Sequence, residues 1–152
     1  MKKYNQFFKK YNLFLDDERF PVNRGTQGSQ MSAYDLTGNK RYFLLDWIIV
    51  RNFGDFVKAI EERGLPLICS FDHDLKDFHY YHYQTYTVYT GKIDYTVVEG
   101  TGYECAKWLI NYLLDNDLDA PEILIHTQNT VGARNIRKLF DDYNKMRNRN
   151  KK

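Results

Sequence analysis

Three separated apolar runs in this chain each end in chemically capable polar residues. Leu13-Phe14-Leu15 runs into Asp16-Asp17-Glu18-Arg19, Leu67-Ile68-Cys69-Ser70-Phe71 into Asp72-His73-Asp74, and Ile123-Leu124-Ile125 into His126-Thr127-Gln128-Asn129. A short apolar run bounded by polar residues suits a strand buried on both faces, as in a parallel sheet. Parallel pairing of the three would set their carboxyl ends side by side. Open α/β sheets bind their ligands at that edge. One acidic strand end is a surface accident; three converging ends describe a site.

The rest of the chain supplies the alternation that such a sheet needs. Residues 11–16 read as the first strand, closed off by Pro21. Residues 22–46, rich in Gly, Ser, Gln, Asn and Asp, read as an irregular excursion. Trp47 to Arg51 reads as a second strand. Phe53, Phe56, Val57 and Ile60 follow helical spacing until Gly64 and Pro66 stop them. The third strand is 67–72. Over 101–115, Thr101 and Glu104 form a capping box ahead of the stripe Cys105, Trp108, Leu109, Tyr112 and Leu113. A fourth strand at 122–127 follows Pro121, and a last helix runs from about Gly132 to Met146. The expected fold is α/β, a doubly wound parallel sheet of about four strands in a single domain over 1–152.

Residues 76–100 break the rhythm. Tyr83 to Tyr89 and Lys92 to Val98, rich in Tyr, Thr and Val, flank Thr90-Gly91, which predicts an inserted β-hairpin. It leaves directly after Asp74, so a flap over the site and a plain surface ribbon are both open readings.

Bulk properties narrow the class. With 152 residues, 43% apolar and 28% charged, the chain has the makeup of one ordinary globular domain. A net charge of +2, with its basic residues gathered at Lys2, Lys3, Lys9, Lys10 and in a 145–152 tail, does not make a strong nucleic-acid field. The tail reads as a solvated, frayed helix end. Cys69 and Cys105 form neither a disulfide framework nor a metal motif, and read as buried free thiols of a reducing compartment. No apolar run approaches roughly 18 residues and no leader is evident, so a cytoplasmic protein without a membrane partner is expected. Nothing in the sequence points to a stable protein partner.

Adjacent carboxylates at one strand end repel each other unless a cation lies between them. Asp16 and Asp17, with Asp72 or Asp74, therefore read as oxygen ligands for Mg²⁺ or Mn²⁺, metals that bridge to phosphate. The alternative is that Asp16 caps a turn and no metal binds. Period-two geometry lets Asp72 and Asp74 point one way with His73 opposite. His126 reads as a general acid or base, or else as a hydrogen-bonded structural histidine. Gln128 and Asn129 offer amides beside a helix start near Thr130. Arg19 and Arg51, at strand ends, suit bidentate phosphate contacts or surface ion pairs. His79 and His82 have transition-metal spacing but no cysteine partner. No P-loop, no G-x-G-x-x-G turn and no G-x-S-x-G elbow is present.

Four motifs in order, Asn12 to Arg19 with Pro21, Ser70 to Leu75, Thr101-Gly102-Tyr103, and His126 to Asn129 with Gly132, resemble the cyclic-phosphate processing receiver family. That family is related to two-component receivers, so the resemblance implies a receiver-like (flavodoxin-like) fold. It implies that Asp16 and Asp17 match the metal-binding acidic pair, Asp72 the phosphoacceptor and Thr127 the switch hydroxyl. The chain departs from that pattern in lacking an evident fifth strand with its terminal Lys, and in placing Thr130 where the family has Pro. The family's name implies a nucleotide or RNA-end cyclic phosphate as ligand.

Two functions remain open from the sequence. In one, a metal-dependent phosphoesterase uses Asp16, Asp17 and Asp72 for the metal. His126, Asp72, Asp74 and His73 then carry the chemistry, and Arg19, Arg51, Thr127, Gln128 and Asn129 hold the substrate. In the other, a non-catalytic receiver-like module binds a nucleotide or phosphate in the same crevice.

Overall fold

A computed structural model describes residues 10–23, 31–75, 81–87, 92–98 and 101–151. In chain order the elements are β1 (Asn12–Leu15), α1 (Ala33–Thr37), α2 (Arg41–Leu44), β2 (Ile48–Val50), α3 (Phe53–Arg63), β3 (Ile68–Phe71), β4 (Tyr81–Thr87), β5 (Lys92–Val98), α4 (Gly102–Asp115), β6 (Glu122–Ile125) and α5 (Thr130–Asn150). The apolar runs pair as an all-parallel sheet in the order β2-β1-β3-β6. The register aligns Leu15 with Val50 on one side and with Phe71 on the other, and Phe71 with Ile125. The chain leaves β1 toward β2 and later returns to β1's other side as β3. Strand order therefore reverses between β1 and β3, the place where such sheets bind ligands.

Strand alternation sorts the core into two clusters. Leu13, Leu15, Val50, Cys69, Phe71 and Ile123 face the buried stripes of α3, α4 and α5, among them Phe56, Ile60, Leu109, Ile136 and Phe140. Phe14, Ile68 and Leu124 face the other way, onto Ala33, Tyr42, Leu45 and Trp47. Both faces are thus covered, as a doubly wound parallel sheet requires. Cys69 and Cys105 are buried free thiols.

The expected irregular excursion is in fact partly helical. Ser32 accepts from the Asp35 amide while Asp35 accepts from the Ser32 amide, a capping box that starts α1. α1 and α2 then lay Ala33 and Tyr42 on the second sheet face. That burial gives two very short helices the packing that isolated turns lack.

The basic tail is an exposed extension of the last helix. α5 continues to Asn150, and Arg147 pairs with Asp117 at 2.5 Å and Asp119 at 3.1 Å, with Lys151 also on Asp119. Basic residues in a last helical turn meet both the helix dipole and an acidic loop there.

β4 and β5 pair antiparallel, Tyr81 opposite Val98 and Thr87 opposite Lys92. Positions 76–80, 88–91 and 99–100 lie outside the described residues, and with them the turn of the expected hairpin, its joins to the rest of the chain, and His79 of the His79–His82 pair. Among the described residues, no helix is long and apolar enough to cross a membrane.

Candidate metal and phosphate site

The carboxyl ends of β1 and β3 carry three acids whose oxygens converge. One ligand atom from each of Asp16, Asp17 and Asp72 lies within 4.8 Å of the others, with Asp16 and Asp72 buried and Asp17 half-buried. An octahedral Mg²⁺ shell of roughly 2.1 Å radius sets its oxygens about 3.0 to 4.2 Å apart, so small side-chain rotations close the set. The donors are all hard oxygens, which is the chemistry of Mg²⁺ or Mn²⁺.

Asp16 is held from three directions. Its Oδ1 accepts from the backbone N–H of Glu18 at 2.9 Å and of Arg19 at 2.8 Å, and its Oδ2 accepts from His126 Nε2 at 3.0 Å. Burial acts to raise its pKa, but the His126 and backbone donors outweigh it and hold the carboxyl below its ordinary value. Capping engages Oδ1, and Oδ2 keeps a free lone pair beside its His126 contact, so the cap leaves room for a cation.

Asp72 is the strained member. Burial, and then the neighbouring Asp16, push its pKa up to about 7, with Asp17 adding to the rise and the Thr127 hydroxyl and Arg19 opposing it. A divalent cation between the three carboxylates would cancel that repulsion. The residues present fit the metal.

Above the acids opens a crevice of about 140 Å³ lined by Asp17, Glu18, Arg19, Asp72, Asp74, Thr127 and Gln128. Asp72 and Asp74 both line this crevice. His73 turns aside, with its Nδ1 on Asp74 Oδ1 at 2.8 Å. Two glycines make room for this strand end. A Cβ on Gly132 would lie 2.3 Å from His73 Cγ, and a Cβ on Gly102 only 1.7 Å from the Asp72 carbonyl oxygen. The Gly102 N–H donates to the His73 carbonyl at 2.8 Å, so α4 begins against the end of β3. A larger cavity of about 430 Å³, with Lys10, Asn12 and Arg63 in its wall, lies at the amino ends of the strands and carries no converging acids.

Not every expected contact residue reaches the crevice. Arg51 instead ties the acidic loop down: its Nη1 donates to the Asp16 carbonyl at 3.0 Å and the Arg19 carbonyl at 2.5 Å, and its guanidinium lies 4.6 Å from the Phe20 ring centroid. Asn129 caps α5 by accepting from the Gly132 amide at 2.8 Å, with its Nδ2 3.3 Å from Asp74 Oδ1. Arg19 does line the crevice while its Nε donates to the Met31 carbonyl at 3.0 Å.

His126 is sealed under the sheet edge, at 1% exposure. Its ring stacks on Phe14 with centroids 4.4 Å apart and planes 7° from parallel. Its Nδ1 lies 2.7 Å from Ser70 Oγ, and the Tyr42 hydroxyl 2.6 Å from the same Oγ. Burial holds its pKa below the ordinary value, with Asp16 opposing. Direct proton transfer from His126 to a ligand in the crevice is thus not what the geometry provides. Period two puts His126 on the face of Leu124, Ser70 and Phe14, and Phe14 and Tyr42 cover its ring there. Tyr42 and Ser70 were missed because neither belongs to a polar strand end.

No curated protein and no solved structure matches the chain. The family model of the cyclic-phosphate processing receiver domain matches residues 11–142, a span that takes in every site residue named above, and the chain belongs to that family.

Proposed function

We propose that this receiver domain is a metal-dependent phosphoesterase that opens a cyclic phosphate, either an RNA 2′,3′-cyclic end or a cyclic nucleotide. The observation that carries the reading is the convergence of Asp16, Asp17 and Asp72 at the β1–β3 switch point, within 4.8 Å of one another. These three carboxylates would hold Mg²⁺ or Mn²⁺, which would supply charge neutralisation at the phosphate. The chain's own residues do the rest. Arg19 offers the forked guanidinium that matches phosphate oxygens. Thr127 and Gln128, in the same wall, offer hydrogen bonds to the remaining oxygens. His73 is 19% exposed with its Nδ1 held by Asp74, so its imidazole is oriented by an acid that lines the crevice. Water adds to phosphorus and gives up a proton to Asp74, one ring P–O bond breaks, and the leaving oxygen takes a proton from the His73 imidazole paired with Asp74. Two buried free thiols favour a reducing, cytoplasmic setting for this reaction.

One observation favours a second reading. His126, the proton carrier expected from the sequence, is sealed beneath the site. A module that only binds a nucleotide or phosphate needs no proton carrier. A turnover screen over RNA 2′,3′-cyclic ends and cyclic nucleotides, with and without Mn²⁺, separates the two. Mn²⁺-dependent ring opening that Asp72→Asn abolishes supports the esterase. Saturable binding of a cyclic phosphate without turnover supports the binding module.

A further inference from the structure

Behind Asp16 lies a file of buried polar groups that belongs to no part of the crevice. Tyr42, in α2, is 2% exposed; Ser70, in β3, is fully buried; His126, just past β6, is 1% exposed. The contacts run Tyr42 hydroxyl to Ser70 Oγ at 2.6 Å, Ser70 Oγ to His126 Nδ1 at 2.7 Å, and His126 Nε2 to Asp16 Oδ2 at 3.0 Å. A carboxylate only accepts, so Nε2 carries the hydrogen. In the neutral imidazole Nδ1 then accepts from the serine hydroxyl, and the serine oxygen accepts from the tyrosine. Every donor in the file points toward Asp16. The aromatic packing fixes it laterally. Phe14 stacks on the imidazole, Tyr42 meets it edge-on at 5.9 Å, and Trp47 stacks on Tyr42 at 5.4 Å. Such a file is costly if any member is unsatisfied, because these groups are out of water. Apolar side chains of the same size would fill that space without that cost.

We propose that Tyr42, Ser70 and His126 are positioning residues that aim the second oxygen of Asp16 at the cation, and that Tyr42 thereby makes the α1–α2 excursion part of the metal site. The inference rests on the metal reading given under Proposed function and adds three residues to it. Groups that orient a ligating side chain by hydrogen bonding typically contribute about 10- to 100-fold in metal affinity. The effect should fade with distance from Asp16. His126→Gln is expected to weaken Mn²⁺ binding by about 10- to 100-fold, Ser70→Ala by about tenfold and Tyr42→Phe by about threefold.

The test is Mn²⁺ calorimetry on the full chain and these three variants, with the melting temperature of each recorded without metal. Tyr42→Phe keeps the ring and removes only the last hydroxyl, so it retains the fold even where Ser70→Ala does not. Graded loss of Mn²⁺ affinity in that order, out of proportion to any change in metal-free melting, supports the inference. Unchanged Mn²⁺ dissociation constants in Tyr42→Phe and in any other variant that folds, beside normal binding by the wild type, overturn it and leave the metal reading standing. Absence of Mn²⁺ binding by the wild type overturns the metal reading, and the positioning role with it.

Discussion

Gly102 touches the backbone of Asp72 so closely that no side chain fits between them: a Cβ on Gly102 would stand 1.7 Å from the Asp72 carbonyl oxygen. The first turn of α4 therefore presses on the one strand end that carries the most strained acid of the site. Gly102→Ala is expected to force β3 and α4 apart, costing on the order of 1–3 kcal/mol, the range for overpacking. Thermal unfolding checks the stability, and Mn²⁺ titration of the folded fraction is expected to show weakened binding, because Asp72 moves with its backbone.

Asp72 gives the site a pH dependence of known sign. Its pKa in the folded protein is pushed up to about 7, above that of an unfolded aspartate. Between about pH 4 and 7 the folded state therefore holds a proton that the unfolded state has lost. This group's contribution to metal-free stability falls as pH rises through that window. Metal ligation requires the ionised carboxyl, so Mn²⁺ affinity is expected to rise over the same window and level off above about pH 7. Calorimetry in a pH series checks both, and an affinity independent of pH from 5 to 8 contradicts them.

Asp72→Asn separates the site's use from its cost. Removing one of three crowded carboxylates relieves repulsion, so the metal-free variant is expected to be more stable at pH 8 by on the order of 1–2 kcal/mol. That corresponds to a melting temperature higher by a few degrees in a domain of this size. Mn²⁺ should no longer raise it. Melting curves with and without metal give both answers in one experiment.

Arg51 holds the acidic loop through two backbone carbonyls. Arg51→Met keeps much of the stem and loses both charged hydrogen bonds. A stability loss on the order of 2 kcal/mol is expected, discounted from the full value because the side chain is only half-buried. Arg51→Lys, which cannot present the same fork, should fall between the two. Denaturant unfolding ranks the three chains.

The segment between Asp74 and Thr101 returns to its point of departure, since the Gly102 N–H donates to the His73 carbonyl. A chain with 79–97 replaced by a short Gly-Ser link is accordingly expected to fold with a melting temperature within a few degrees of wild type. If the segment stacks on a bound base, nucleotide affinity drops by the roughly 1–3 kcal/mol that such stacking contributes. Unchanged affinity assigns it no part in binding.

The strands were legible because their apolar runs are short, unbroken and closed by polar residues. The convergence of Asp16, Asp17 and Asp72 followed from parallel pairing alone. α1 and α2 escaped notice because Gly and Ser in the flanking sequence outweighed the Ser32–Asp35 capping box, and burial of Tyr42 rather than local propensity keeps them in place. His126 reads as part of a polar strand end with Thr127 and Gln128, because Phe14 and Tyr42, which cover its ring, lie far away in sequence. The role of Gly102 and Gly132 is invisible locally, since what requires them is the backbone of Asp72 and the ring of His73.

The buried polar file has a consequence for how the sheet assembles. Its strands are short and mostly aliphatic, and aliphatic runs can pair in more than one register. A slip of β3 by one residue along β1 would turn Ser70 to the opposite face and withdraw it from both Tyr42 and His126. Asp16 would keep an imidazole with no partner behind it, and Tyr42 would be left buried with an orphaned hydroxyl. The tyrosine, serine, histidine and aspartate thus work as the wards of a lock, and the alignment that turns it is the one that brings the acids of β1 and β3 together.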